Sequence, residues 1–115
     1  MKRKITKNTR GRNSAEAAFH LWLKQQPCLL GGRGITEVHH CKGSTFKHNK
    51  VLIGHWFCLN LSQEKHAEYH AGTKAFIENN GAQSKLWEKI HDKYFGETGD
   101  RAPDEVVEAI RSYGR

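Results

Sequence analysis

No acidic residue occurs in the first thirteen positions, no two cysteines are spaced as CxxC, no hydrophobic run approaches a membrane span, and only two prolines punctuate the 115 residues. Each scarcity excludes something. A bilayer helix needs about 20 apolar residues in succession, so no membrane-spanning segment is expected. The basic start is not followed by a hydrophobic stretch of signal-peptide length, so export is not expected either. Cys28, Cys41 and Cys58 are odd in number, which argues against a disulfide framework and leaves the cytoplasm as the expected compartment. Internal repeats are absent, and the chain is short enough to be one domain with a modest core.

What is present is positive charge, placed unevenly. The formal net charge is +7, from 19 Lys and Arg against 12 Asp and Glu. Lys2, Arg3, Lys4, Lys7, Arg10 and Arg12 supply six of those cations within residues 1–13, whose apolar members are only Met1 and Ile5. The rest of the chain is nearly balanced. A basic segment without apolar content is expected to be a flexible, solvated arm over 1–13. Such an arm suits a polyanion, because each cation that neutralises a phosphate releases counterions. A solubilising tail without a partner is the alternative.

Beyond the arm, Ser14 is expected to cap a helix through "AEAAFHLWLKQQ", with Ala15, Ala18, Phe19, Trp22 and Leu23 on one stripe and Pro27 after its end. "LLGGRG" reads as a turn and "ITEVHH" as a strand. "CKGSTFKHNK" is a polar loop, and "VLIGHWFCLNL" a second, buried strand with a bulge or bend at Gly54. Ser62 then caps a helix through "QEKHAEYHAGTKAFIEN", with His66, Tyr69, His70, Thr73, Phe76 and Ile77 sharing one face until Asn79-Asn80-Gly81. A further helix carries Leu86, Trp87, Ile90, Tyr94 and Phe95, and residues 96–102 form a loop. Pro103 opens a last helix bearing Val106, Val107, Ile110 and Tyr113. The aromatic residues, at helix or strand spacing, are expected in the core rather than stacked on bases. No seam after Gly81 fixes an oligomeric state.

The chemistry lies in eight histidines. His66 and His70 are four residues apart on a helix, so their rings project from one face and can converge on one ion. "HAEYH" is not the zinc-protease motif: Glu68 follows His66 by two residues, about 200° around the helix, and points away. "EVHH" adds the other half. Metal-assisted hydrolysis of a phosphodiester needs a Lewis acid on the phosphate and a separate base for the attacking water. Adjacent residues at a strand end face opposite ways, so His39 is read as a metal ligand and His40 as the base, with a free imidazole pKa near 6.5 suited to that work. Packing of both rings against Trp56 or Trp87 is the structural alternative.

Together, "EVHH", a second strand and "KHAEYHAG" resemble the ββα-metal (HNH, His-Me finger) nucleases. The pattern is similar to the nuclease domains of DNase colicins and more similar to the phage recombination-enhancement nucleases of the RecA-dependent type, through His39-His40, "CKGSTFKHNK", His55-Trp56, Asn60-Leu61-Ser62, His66 and "YHAG" at Tyr69 to Gly72. The resemblance runs from about Cys28 to Phe95. It implies an α+β fold over 14–115 with a ββα core at about 35–80 embedded in additional helices. It also implies one divalent ion (zinc, magnesium or manganese) on His39, His66 and His70, with His40 activating water. DNA is the implied partner, and a RecA filament in a bacterial host a second one. Lys42, Lys47 and Lys50, in the loop beside the site, are candidate phosphate contacts along with the arm.

Three departures bear on this resemblance. A Pro-Leu-Cys segment is Asn60-Leu61-Ser62 here, which leaves a good helix cap. The cysteine pair before the first strand is reduced to Cys28, so no zinc knuckle is expected. The middle Asn of the HNH pattern falls near Phe57, and its role passes to His55 or Asn49, unless His55 is merely buried. The competing reading is a non-catalytic nucleic-acid-binding module in which Cys28, Cys41 or Cys58 joins His66 and His70 around a structural zinc.

Overall fold

A computed structural model of the chain describes residues 11–115; the arm cations Lys2, Arg3, Lys4, Lys7 and Arg10 lie outside them. Over these described residues the fold is mixed α+β, with five helices and two small two-stranded sheets.

Helix α1 (Ser14–Lys24) begins one residue earlier than expected, because Asn13 and not Ser14 is its cap. The Asn13 side chain accepts from the Glu16 N–H at 2.8 Å, and the Glu16 carboxylate accepts from the Asn13 N–H at 2.9 Å. This reciprocal capping box satisfies two donors that a helix start leaves orphaned. The buried stripe also differs from the expected one. Ala15 and Ala18 are exposed, while Glu16, Phe19, His20 and Leu23 face inward with Trp22.

Strand β1 (Thr36–His40) pairs antiparallel with the strand at Cys58–Ser62, with Thr36 opposite Ser62 and His40 opposite Cys58. The intervening chain forms a two-residue hairpin between β2 (Lys47–His48) and β3 (Val51–Leu52). Asn49 and Lys50, both at positive φ, make its turn, as primed hairpin turns require. The expected continuous strand "VLIGHWFCLNL" is therefore split. Its first two residues belong to this hairpin, Gly54 turns the chain at φ +67°, and only Cys58–Ser62 forms strand β4.

Helix α2 (Gln63–Ala71) starts directly from β4, capped by the Ser62 hydroxyl, which accepts from the Lys65 N–H at 3.2 Å. The turn before β1 is tied to this start. Arg33 N–H donates to the Glu64 carboxylate, the Glu64 N–H donates to the Arg33 carbonyl, and the Ser62 hydroxyl donates to the Gly31 carbonyl. Gly32, at φ +99°, lies so close that a Cβ would come within 2.6 Å of Ser62 Oγ.

The expected single helix after Ser62 breaks at Gly72, where the backbone is extended, and α3 (Thr73–Asn80) follows. Thr73, Phe76 and Ile77 thus do not continue the His66 face. Glycine's weak helix preference makes the break inexpensive, and it lets Phe76 reach the core against Tyr69, ring centres 5.7 Å apart. Helix α4 (Gln83–Thr98) runs through Gly96, which was expected in a loop; Gly99, left-handed, is the stop. Pro103 caps α5 (Asp104–Tyr113) rather than occupying its first turn.

Phe19, Leu23, Phe57, Leu59, Leu61, Phe76, Trp87 and Ile110 fill one core beneath the β1–β4 pair. The Trp87 indole donates to the Trp56 carbonyl at 2.7 Å, tying α4 to the chain entering β4. Phe95 departs from the expected packing: it is 50% exposed, with the Arg101 guanidinium over its ring. Among the described residues no helix is long and apolar enough to cross a membrane.

Candidate metal and catalytic centre

Alternation along β1 separates His39 and His40. His39 is buried and turns toward α2 and the start of α4, whereas His40 stands at the edge, its ring packed on the side of α1. The His39 ring centre lies 5.1 Å from that of His66, and His66 lies 4.7 Å from His70 one turn further along α2. Tyr69 packs edge-on against His39 at 4.2 Å.

The hydrogen bonds fix which ring nitrogens are free. His39 Nε2 lies 2.8 Å from Gln83 Oε1, and His66 Nδ1 lies 2.7 Å from Glu37 Oε1. Amide and carboxylate oxygens only accept, so both rings donate there, and a neutral ring so held has its lone pair on the other nitrogen. A metal-bound histidine is ordinarily held in this way. Two imidazoles on one tetrahedral ion place their ring centres about 5 Å apart, which is the spacing of the His39 and His66 pair and of the His66 and His70 pair, but as placed the donor atoms of His39, His66 and His70 do not all lie within 4.8 Å of one another. Burial lowers the His39 pKa to about 4, with the Gln83 hydrogen bond opposing and neighbouring His66 and His70 adding to the shift. The ring is therefore neutral, as a ligand must be.

His40 shares a cavity of about 530 Å³ with His39, His66 and His70, and Lys42 lines it too. On its other side a second cavity, about 680 Å³, is bordered by Arg12, His20, Lys24, Glu37 and His55. His40 Nε2 lies 3.1 Å from His55 Nδ1. Crowding by the protein lowers the His40 pKa to about 4, helped by His20, His55 and the Arg12 guanidinium and opposed by Glu16. That corrects the value near 6.5 expected for a free ring: His40 is unprotonated throughout the neutral range but a weaker proton acceptor. A bound phosphate would raise it again.

A different trio has the tightest donor spacing. Among the described residues, His20, His40 and Cys58 form the set of three ligating side chains whose donor atoms all lie within 4.8 Å of one another, and they could hold a metal ion. As placed they are otherwise engaged. His20 Nδ1 faces Arg12 Nη1 at 3.2 Å and its Nε2 faces the His55 carbonyl at 2.7 Å, so neither nitrogen is open. The Cys58 thiol donates to that same carbonyl at 3.2 Å. Burial foremost, with the Glu16 carboxylate, pushes its pKa up, away from the thiolate that binds metal.

Other expected site residues fall in several places. Asn49, one candidate for the missing Asn, donates to Ser112 on α5 and lines neither cavity beside His40, so that role is not its own. Phe57, at the aligned position, is buried in the core. His55 does reach His40. Lys47 and Lys50 sit on the β2–β3 hairpin and line neither cavity, whereas Lys42 does, with its ammonium over the Phe46 and Tyr113 rings. Glu68 pairs with Lys65 and Asn80, away from the histidines as expected. Cys41 borders the cavity of His66 and His70, but burial pushes its thiol well up.

The sequence reading missed Glu16, His20 and Gln83. Glu16 and His20 share the stripe of Phe19 and Leu23, a detectable spacing; Gln83 carries no such signal. Neither a curated protein nor a solved structure matches the chain. A family model described as "Protein of unknown function (DUF968)" matches residues 4–97, and the chain belongs to that family.

Proposed function

We propose that the chain is a metal-dependent DNA endonuclease with a ββα-metal (HNH-type) core made of β1, β4 and α2. The observation that carries this reading is a single cavity lined by His39, His40, His66 and His70, in which the rings of His39, His66 and His70 follow one another at 5.1 and 4.7 Å. A bound divalent ion would be held by His39, His66 and His70 and would supply Lewis acidity toward a phosphate oxygen. His40 takes a proton from water through the nitrogen not engaged with His55. Glu37 and Gln83 keep His66 and His39 in the ligating tautomer. Lys42 supplies positive charge to the phosphate, and Arg12 and Lys24 extend that charge along the neighbouring cavity. The bacterial cytoplasm is the proposed setting, with a RecA filament as a partner to be tried in the assay.

Nicking of supercoiled plasmid with magnesium, manganese or zinc tests this reading. His40→Ala is expected to lower the rate by about a hundredfold or more and to leave metal affinity unchanged. The competing reading is a zinc-stabilised nucleic-acid-binding module, favoured by the donor spacing of His20, His40 and Cys58. It predicts no cutting with any ion, and loss of the metal itself in His40→Ala.

A further inference from the structure

Helix α1 lies outside the strand–strand–helix unit, yet it commits two polar side chains to the core. Glu16 is 1% exposed and His20 2%. Four residues apart, they lie on one helix face. Burying a carboxylate and an imidazole is costly unless their hydrogen-bonding groups are satisfied, and each side chain directs one polar atom to the same residue, His55. Glu16 Oε2 accepts from the His55 N–H at 2.9 Å, and His20 Nε2 meets the His55 carbonyl at 2.7 Å. A carbonyl only accepts, so His20 carries its proton on Nε2, and its Nδ1 accepts from the Arg12 guanidinium at 3.2 Å. The Cys58 thiol is a second donor to the same carbonyl. His55, thus gripped at both its N–H and its C=O, presents Nδ1 to His40 Nε2.

We infer that Glu16 and His20 are positioning residues: they clamp the His55 backbone so that the His55 ring holds His40 in the Nε2–H tautomer, with the Nδ1 lone pair free for water. The role as positioning residues rests on the nuclease reading, whereas the clamp and the tautomer do not. The chemical logic is that of a base oriented by a hydrogen bond to its far nitrogen. Here the orienting ring is itself fixed through its backbone by a helix outside the catalytic unit. An Asn side chain at the Phe57 position is then unnecessary.

The test uses the full chain. His20→Leu removes the grip on the carbonyl, His20→Gln restores a donor at a similar reach, and Glu16→Met removes the acceptor at constant length. Asn13→Ala removes the other half of the capping box without touching His55. His20→Leu and Glu16→Met are each expected to lower kcat roughly tenfold to a hundredfold, with KM and manganese affinity unchanged. His20→Gln recovers most of the rate, and Asn13→Ala keeps the wild-type value. In nitrogen-15 imidazole spectra recorded without metal, wild-type His40 shows the Nε2–H tautomer, and the two damaging variants show a mixture.

Unchanged kcat in the folded variants, or an equal loss in Asn13→Ala, would overturn the positioning role. An Nδ1–H tautomer for His40 in the wild type would overturn it too, and that spectrum decides even if the variants fail to fold. If the wild type cuts no DNA with any ion, the nuclease reading fails, while the spectra still decide whether the clamp exists.

Discussion

Glu37 and Gln83 set the tautomer of His66 and His39, two of the three proposed metal ligands. Each accepts the proton-bearing side of one imidazole, which leaves the other nitrogen with its lone pair. Glu37→Gln and Gln83→Leu are therefore each expected to weaken divalent-ion affinity about tenfold to a hundredfold, read by calorimetric titration. The contrast with His40→Ala, which should bind the ion as well as the wild type, separates ligand support from base chemistry. At this scale the sequence was informative where chemistry shows as spacing. An i, i+4 histidine pair is weak evidence by itself; only together with the strand-end dipeptide did it single out His39, His40, His66 and His70, which line one cavity. Glu16 and His20 escaped because a polar residue inside an amphipathic stripe reads as an interruption, and only the neighbouring chain at His55 explains its burial.

At the level of elements, the strand–helix junction is the stiff part of the site. The Gly31 to Arg33 turn is bonded to Ser62 and Glu64, so the approach to β1 and the first turn of α2 are held together. Gly32→Ala would need an L residue at positive φ and would push its methyl into Ser62 Oγ. A destabilisation of about 1–3 kcal/mol is expected, seen as a lower thermal midpoint. Ordered β1 and α2 termini make the relative placement of His39 and His66 a property of the backbone. The expected order of helix, two strands and helices was legible, since caps and apolar periodicity are local. The splits at Gly54 and Gly72 were not. Apolar character continues through both, and the breaks are set by tertiary partners, the β2–β3 hairpin on α5 and Phe76 in the core.

Across the whole molecule, buried histidines tie stability to pH. The pKa of buried His39 falls to about 4, and those of buried His20 and His91 are also lowered, in every case chiefly by burial. His91 stacks on Trp87 and accepts the Ala102 N–H through Nε2, so its neutral form is part of the packing. For such groups the unfolded chain binds protons first. Their contribution is fully present above about pH 6.5, the unfolded value, and is lost as pH falls toward the folded values. With a chelator present, the urea midpoint should fall steadily from about pH 7 to about pH 4.5; a flat profile would show that these rings are not buried neutral.

Charge belongs to the same scale. Removing residues 2–10, which spares Arg12 and the Asn13 cap, should reduce the logarithmic salt dependence of DNA binding by about 0.9 for each phosphate left without its cation. An unchanged slope would reduce that segment to a solubilising tail.

The nuclease reading and the roles drawn from it depend on where a cation sits. Anomalous scattering from crystals grown with manganese or zinc locates it directly. The predicted result is one peak held by His39 Nδ1, His66 Nε2 and His70, with a coordination position left to water and His40 unligated beside it. A peak among His20, His40 and Cys58, or an ion closed off by protein ligands including a cysteine, would contradict it.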